Sequence, residues 1–501
     1  MRQFNKQAAY AVGGALIASL AFPQPGIEVL MLIGLPLMIF AFRGLKFWQS
    51  AIIGLVVGFV YYGTVARWVT VYLGIVPWLG LVGAQAIIFA AFGALLTAAW
   101  RIADLLSSGA KNRLMASSLV AAAWACRETV AANWPYGGFG WARVITGFAE
   151  SPLRYLATLF GITGAGFVVA VFCIFVVLTW QSVKNRRSLA LQLGTAIAIL
   201  LALLPGPYLL LQSNGNESIR VEAVQGNSDS ALFSTARRGD AIMQHVAAMK
   251  EAGEQKVDLV IWPENAMDVN PLENQQAALL ADQIAGASGG HFLFGTITAD
   301  GNKTFNSALL WEAGNGVVDQ YDKVHPVPFA EYLPSREFFY PLAPDLFKMV
   351  PRDYTIGTRD PVMQVDNAII GIAICYDVVD DGLFRDMLSN KANIIVAPTN
   401  NSDFGRTDEG VQQLEIARIR AVETGRSVAN VSTVGISAII GPDGTDLARL
   451  EPFTAGVMTV DVPLSEVVTP ASVIGFPLEI SLCMIGISPA LLLFFRSLRK
   501  R

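Results

Sequence analysis

Charge is what this sequence has least of. Of 501 residues only 15% are Asp, Glu, Lys or Arg, against about 25% in an average soluble chain. Hydrophobic residues make up 53% and the mean hydropathy is +0.47. A chain so poor in charge cannot keep its whole surface in water, and membrane-spanning segments are expected. The net charge of −4 gives no electrostatic footprint for a nucleic-acid partner. Histidine is scarce, with three residues that do not cluster, and the four cysteines form no CxxC pair. No metal site and no resident cofactor is therefore expected. Cys126, Cys173 and Cys483 lie in apolar stretches, where cysteine behaves as a small hydrophobe. Cys375 stands alone between residues 174 and 482, with no local disulfide partner.

Long apolar runs are abundant and uneven. Seven open the chain, at approximately 7–22, 27–42, 50–73, 79–100, 114–132, 158–180 and 189–211, and an eighth runs from about 472 to 495. A helix needs roughly 20 apolar residues to cross the hydrocarbon core, so about eight transmembrane helices are expected, the first two short. Arg2 and Lys6 ahead of an apolar run resemble the start of a signal peptide. The second run follows after only Pro23-Gln24-Pro25-Gly26, which reads as a retained hairpin. Five basic groups fall on one side of eight spans: Arg2 and Lys6; Arg43 and Lys46; Arg101, Lys111 and Arg113; Lys184, Arg186 and Arg187; and Arg496, Arg499, Lys500 and Arg501. The positive-inside rule then predicts a plasma-membrane protein with both termini cytoplasmic and the intervening domain on the outer face. Arg67 and Arg127-Glu128 are ionisable within apolar runs and so are functional candidates, although near span ends they can also snorkel or pair. The aromatic, glycine-rich loop 134–141 reads as a lipid entrance or an interfacial anchor.

Residues 212–470 hold most of the acids and read as a soluble domain between membrane parts 1–211 and 471–501. Short apolar runs at 219–224, 259–262, 292–297, 307–312, 369–374, 394–397, 427–432 and 436–440 read as strands, and 235–252, 272–287 and 410–424 as helices. In the last helix Val411, Leu414, Ala417, Ala421 and Val422 recur at helical spacing, with Gln413, Glu415 and Arg418 off that face. The alternation is an α/β pattern, and the short strands with a tight Gly441-Pro442-Asp443-Gly444 turn suggest a sandwich of sheets. Residues 326–362 lack periodicity and carry Phe329, Tyr332, Phe338, Phe339, Tyr340 and Phe347. So long an aromatic loop suits a lid that dips into the membrane interface.

Three strand ends each carry one reactive side chain. Glu264 follows Ile261-Trp262-Pro263, Lys323 follows Tyr321-Asp322, and Cys375 ends the run Gly371-Ile372-Ala373-Ile374. An acid, a lysine and a cysteine suffice for acyl chemistry: the acid takes the thiol proton, the thiolate attacks a carbonyl carbon, and the ammonium stabilises the oxyanion. Singly each is weak, since a cysteine at a strand end is more often a buried structural residue.

WPEN around Glu264, YDKVHPVPFAEYLP around Lys323 and ICYD around Cys375 resemble the three blocks of nitrilase-type carbon–nitrogen hydrolases. Those enzymes use a Glu–Lys–Cys triad on an αββα sandwich, and the resemblance covers about 220–465. With seven spans before this domain and one after, the chain resembles the apolipoprotein N-acyltransferases, actinobacterial members most closely. VQGN at 224–227, the run 435–444 and the loop NWPYGGFGWAR fit as well. The resemblance implies Glu264 as general base, Lys323 as oxyanion stabiliser and Cys375 as nucleophile. It implies that Glu331, Tyr376, Asp377, Trp262 and Asn265 bind substrate or support the site; Asp377 stands where many members carry glutamate. It also implies a ping-pong reaction without ATP or metal. A phospholipid acyl donor in the bilayer acylates Cys375, and the thioester passes its chain to the α-amine of a diacylated apolipoprotein acceptor. The competing readings are a membrane-tethered nitrilase-like amidase, and a lipid- or lipoprotein-binding or transport protein. A transporter would carry polar sites at the midplane, and an inactive relative would have lost one of the three reactive residues.

Overall fold

The computed structural model describes residues 2–106, 109–212, 217–231, 234–253, 255–348 and 353–499; Lys500, Arg501, the Arg2 side chain and loop residues 349–352 lie outside the description. The chain divides into two compact units, one of Met1–Thr70, Gly74–Leu209 and Thr469–Arg501, the other of Val71–Leu73 and Leu210–Val468.

The first unit is helical. Among the described residues five helices are long and apolar enough to cross a membrane: Phe47–Val65, Ile75–Ala103, Pro152–Ser182, Arg186–Gln212 and Pro470–Leu498. They make the chain a multi-pass membrane protein. The other expected spans are also helical. Arg2–Ser19 opens the chain, Met31–Phe40 has 10 residues, and Ala110–Asn133 is diluted by Lys111, Arg113, Arg127 and Glu128. Glycine sets the closest packing: a Cβ on Gly54 would lie 2.3 Å from the Phe89 carbonyl oxygen, so Phe47–Val65 rests directly on Ile75–Ala103. Arg127 and Glu128 do not snorkel. Their side chains are 1% and 2% exposed and 3.1 Å apart. Arg127 donates to the Tyr62 hydroxyl, and Glu128 accepts from the Trp124 indole and the Val144 amide. Such partnering is what makes buried charge tolerable.

Among the described residues the second unit holds twelve strands in two sheets. In chain order they are β1 (Ser218–Gln225), β2 (Leu259–Ile261), β3 (His291–Asp300), β4 (Lys303–Glu312), β5 (Gly316–Asp322), β6 (Val362–Val365), β7 (Ala368–Ile372), β8 (Ile394–Thr399), β9 (Ser427–Ser432), β10 (Ser437–Ile440), β11 (Asp446–Leu450) and β12 (Gly456–Pro463). One sheet runs β12-β1-β2-β3-β4-β5 and the other β11-β10-β9-β8-β7-β6. The neighbours β1, β2 and β3 are parallel, as are β7, β8 and β9. Strands with both faces covered need continuous apolar or small residues, and β8 and β9 are buried at every position. β1 lies against β9, helices Asp240–Ala252 and Gln275–Ser288 cover the first sheet, and Asp381–Ser389 and Glu409–Thr424 cover the second. The layers are therefore αββα.

All eight expected strands are present. The four that the sequence did not reveal, β5, β6, β11 and β12, are the four sheet edges. Helix Asp381–Ser389 was also missed; the Asp380 side chain caps it by accepting from the Gly382 and Leu383 amides. Within the aromatic loop, Arg336–Phe339 and Pro344–Phe347 are single helical turns. There Phe339 packs edge-on against both Phe329 and Phe338, while Phe338 remains 66% exposed.

Candidate active site

Glu264, Lys323 and Glu331 form one ionic cluster. Glu264 follows β2 and is 4% exposed; Lys323 follows β5 and is 1% exposed. Lys323 Nζ lies 3.3 Å from Glu264 Oε1 and 2.9 Å from Glu331 Oε2. A third side chain ties the carboxylates together: Asn306, on β4, donates through Nδ2 to Glu264 Oε1 at 2.6 Å and to Glu331 Oε1 at 3.1 Å. Glu331 is held from behind by the Val327 amide at 2.6 Å. The backbone is built to allow this approach. A Cβ on Gly295 would lie 2.5 Å from Glu264 Cα, so only glycine lets β3 pass beneath the acid.

Burial pushes the Glu264 carboxyl above its usual range, with Glu331 adding to the rise, while Lys323 and Asn306 oppose it. Burial acts against the Lys323 charge, but the Glu264 and Glu331 carboxylates outweigh it and hold the ammonium protonated. The cluster thus pairs a firmly charged cation with a carboxylate that has become a better base.

Cys375 opens the 3-10 helix Cys375–Val379 just beyond β7, and its φ is +51°. A β-carbon costs energy in that left-handed region, which non-glycine residues occupy chiefly where the surroundings force it. The turn leaves the residue partly exposed while its neighbours Ile374 and Tyr376 are buried. Burial of the sulfur and then the Glu264 carboxylate push the thiol pKa up; Lys323 pulls it down. Gln413 Nε2 approaches the sulfur to 3.6 Å. Asp377 is fully buried and ties the elbow to the Lys323 segment. It accepts from the Tyr321 hydroxyl at 2.9 Å, the His325 amide at 2.8 Å and the Ile374 amide at 3.1 Å. His325 also bonds through Nδ1 to Asp380 at 2.7 Å and lies edge-on to the Tyr376 ring.

The expected residues do not all converge. Glu264, Lys323 and Glu331 meet directly, and Cys375 is electrostatically coupled to all three. Asp377 hydrogen-bonds to Tyr321, His325 and Ile374, and Tyr376 is buried against His325. Trp262 points elsewhere: its ring packs between His245 and Phe292 in the apolar layer under the helices. Asn265 adopts a left-handed φ of +55° beside Glu264. Asn306 and Gln413 escaped the sequence reading. Asn306 lies inside a strand, where polar residues usually face water, and only its burial at 2% exposure marks it. No grouping of three His, Cys, Asp or Glu suited to a metal occurs among the described residues.

Residues 220–469 match the carbon-nitrogen hydrolase family, and residues 14–175 match the apolipoprotein N-acyltransferase N-terminal domain. An apolipoprotein N-acyltransferase of Mycolicibacterium smegmatis is 28% identical over 516 residues, covering 96% of this chain and 84% of that protein. One from Geobacter metallireducens is 25% identical over 480 residues, covering 91% and 89%. Among solved structures, an amidase from Nesterenkonia aligns over 51% of this chain and 94% of that one, with 20% identity and a TM-score of 0.37. Both units are matched, the relatives run nearly the full length, and the chain belongs to the apolipoprotein N-acyltransferase family of the carbon–nitrogen hydrolase superfamily.

Proposed function

We propose that this protein transfers a fatty acyl chain from a membrane phospholipid to the N-terminal α-amine of a diacylated apolipoprotein, through a thioester on Cys375. Glu264 takes the thiol proton. The sulfur attacks the ester carbonyl carbon, and the Lys323 ammonium stabilises the oxyanion. The C–O bond then breaks, and Glu264 returns the proton to the departing alkoxide of the lysophospholipid. In the second half-reaction the diacylglyceryl-cysteine amine attacks the thioester and yields a proton to Glu264. The C–S bond breaks, and the proton goes back to the sulfur. Bilayer helices suit substrates that arrive as lipids, since each buried methylene is worth about 0.8 kcal/mol. The reading includes cytoplasmic termini and a catalytic domain on the outer face of the plasma membrane.

The observation that carries the proposal is the lysine ammonium held between the buried Glu264 and the half-buried Glu331 carboxylates, with all three charges acting on a thiol set on a left-handed turn. The test is the mass of the Cys375 peptide after the purified protein meets phospholipid alone. The expected result is a fatty-acyl adduct that hydroxylamine removes and that Glu264→Gln lacks. An unmodified thiol with ammonia release from small amides would replace the proposal with an amidase. An unmodified thiol with neither activity would point to binding or transport.

A further inference from the structure

Behind the nucleophile lies a chain of hydrogen bonds that the triad does not use. Its polarity can be read from the sulfur. A thiolate only accepts, so the Gln413 nitrogen faces it and Gln413 Oε1 faces Asn401. The Gly435 N–H donates to Ser432 Oγ at 2.8 Å, and the Ser432 hydroxyl to Asn401 Oδ1 at 2.6 Å. That leaves the Asn401 amide with its nitrogen toward Gln413. Its Nδ2 spends both protons, one on Glu409 Oε2 at 2.8 Å and one on Gln413 Oε1 at 2.7 Å. With Oε1 so occupied, Gln413 Nε2 faces the Cys375 sulfur at 3.6 Å. The Ser432, Asn401, Glu409 and Gln413 residues are at most 4% exposed, and Gly435 is buried. The spacing is exact to the fold: a Cβ on Gly435 would lie 2.3 Å from Asn401 Oδ1, and Glu409 and Gln413, four residues apart, share one face of their helix.

We propose that the Gln413 side-chain amide is a catalytic group that donates a hydrogen bond to the Cys375 thiolate, and that Gly435, Ser432 and Asn401 are positioning residues that aim it. The inference rests on Cys375 being the nucleophile and adds a second source of thiolate stabilisation to Lys323. The donor acts twice. It stabilises the sulfur anion as Glu264 removes the thiol proton. It also receives the sulfur as leaving group when the C–S bond of the thioester breaks, the electron pair going to sulfur and the proton following from Glu264. The Lys323 ammonium is shared with two carboxylates, whereas among the described residues Gln413 Nε2 bonds only to the sulfur. Burial, reinforced by the neighbouring acids Glu264 and Asp403, raises the Glu409 pKa to about 8. At neutral pH this carboxyl therefore orders Asn401 without placing another anion near the thiolate.

The test is the pH dependence of Cys375 alkylation by iodoacetamide in the full-length protein in lipid nanodiscs, read as the mass of the Cys375 peptide. This readout needs no acyl donor, so it stands whether or not phospholipid acylates the wild type. Gln413→Leu is expected to move the alkylation midpoint to higher pH and to slow alkylation at pH 7 roughly 10- to 100-fold, the worth of a hydrogen bond to a charged group. Ser432→Ala leaves Gln413 in place but releases the Asn401 amide, and is expected to shift the same midpoint in the same direction by less. A merely structural role would lower the unfolding temperature and leave the midpoint where it was. A wild-type midpoint in folded Gln413→Leu overturns the proposal. Should that variant not fold, a wild-type midpoint in Ser432→Ala does so. A shifted midpoint without phospholipid acylation in the wild type would sustain the donor and remove the acyltransferase reading.

Discussion

Asn306→Leu keeps the side chain's size and deletes the two bonds that join Glu264 to Glu331. Both acceptors are carboxylates, and the Glu264 bond is short at 2.6 Å. A hydrogen bond to a charged group contributes about 1.5–3 kcal/mol. Lys323 still reaches both carboxylates, so the cluster stays assembled and only the aim and basicity of Glu264 change. A loss of that size on the proton-transfer step corresponds to a rate reduction of roughly 10- to 100-fold. The pH profile carries the sharper signature. The Asn306 bond opposes the rise that burial imposes on Glu264, so its removal lifts the carboxyl further. A base must be ionised to act, and the acid limb of kcat/KM should therefore move to higher pH. The assay is single-turnover acylation of Cys375 by phospholipid in nanodiscs across pH, with unfolding temperature as the folding control. An unmoved acid limb in a folded, slow variant would refute the reasoning, because Asn306 would then be structural filler. Asn306→Asp separates hydrogen bonding from charge: it adds a third carboxylate around one lysine, and a larger loss than in Asn306→Leu is expected.

Two further predictions concern the support of the site. Arg420 is 1% exposed and binds the Val378 carbonyl, Asp381 and Glu423, joining the elbow's 3-10 helix to helix Asp381–Ser389. Arg420→Leu strands these partners, and a loss of about 3–5 kcal/mol in unfolding free energy is expected from denaturant titration; a loss below about 1 kcal/mol would contradict it. Glu409 titrates near 8 in the folded protein against an ordinary value of 4.5. The folded state favours its proton, so its contribution is fully present below about pH 4.5 and is lost as pH rises through about 8. Glu409→Gln cannot ionise and should gain stability over wild type between those limits, on the order of 4 kcal/mol at the alkaline end. Parallel stability curves for the two proteins would count against it.

What the sequence made legible follows from burial. The eight interior strands carry apolar runs or, in β1, apolar residues at alternate positions, and could be read; the four edge strands carry exposed polar residues, as in Asp446–Leu450, and could not. The same physics explains helix Glu409–Thr424. Its apolar stripe placed Gln413 and Arg418 off the buried face, yet both are buried, at 2% and 3% exposure. Each is buried because a polar partner meets it: Arg418 donates to the Gly444 carbonyl and Asp446, and Gln413 lies between Asn401 and the sulfur. Periodicity detects water avoided by hydrocarbon and is blind to polar groups satisfied by distant chain. Glu264 and Cys375 were legible because each lies just beyond a readable strand, whereas Lys323 follows the unread edge strand β5 and was legible only from its motif. Asn306 was not, because its partners lie 42 and 25 residues away.

The number of charges at the site, rather than the triad alone, makes the proposed reaction workable in a buried place. Moving the thiol proton to Glu264 exchanges one anion for another, so Glu264, Cys375, Lys323 and Glu331 together carry −1 before and after. The tetrahedral intermediate keeps that sum, and so does the thioester once the proton has left with the alkoxide. Glu331 is what holds Lys323 charged while Glu264 is neutral. Glu331→Gln removes that partner, and with it part of the rise in the Glu264 pKa. Glu264 becomes a weaker base that ionises more easily. The maximal rate of Cys375 acylation should fall while the acid limb moves to lower pH, the direction opposite to that in Asn306→Leu. The amide cannot satisfy both sides of the site, since its nitrogen must face either the Val327 N–H or the Lys323 ammonium, so the limb is read only in protein with wild-type unfolding. Two neighbours of one base that shift its titration in opposite directions, each with loss of rate, is a pattern that simple disorder of the site does not produce. Limbs that move together in both variants would show that Glu264 is not the base.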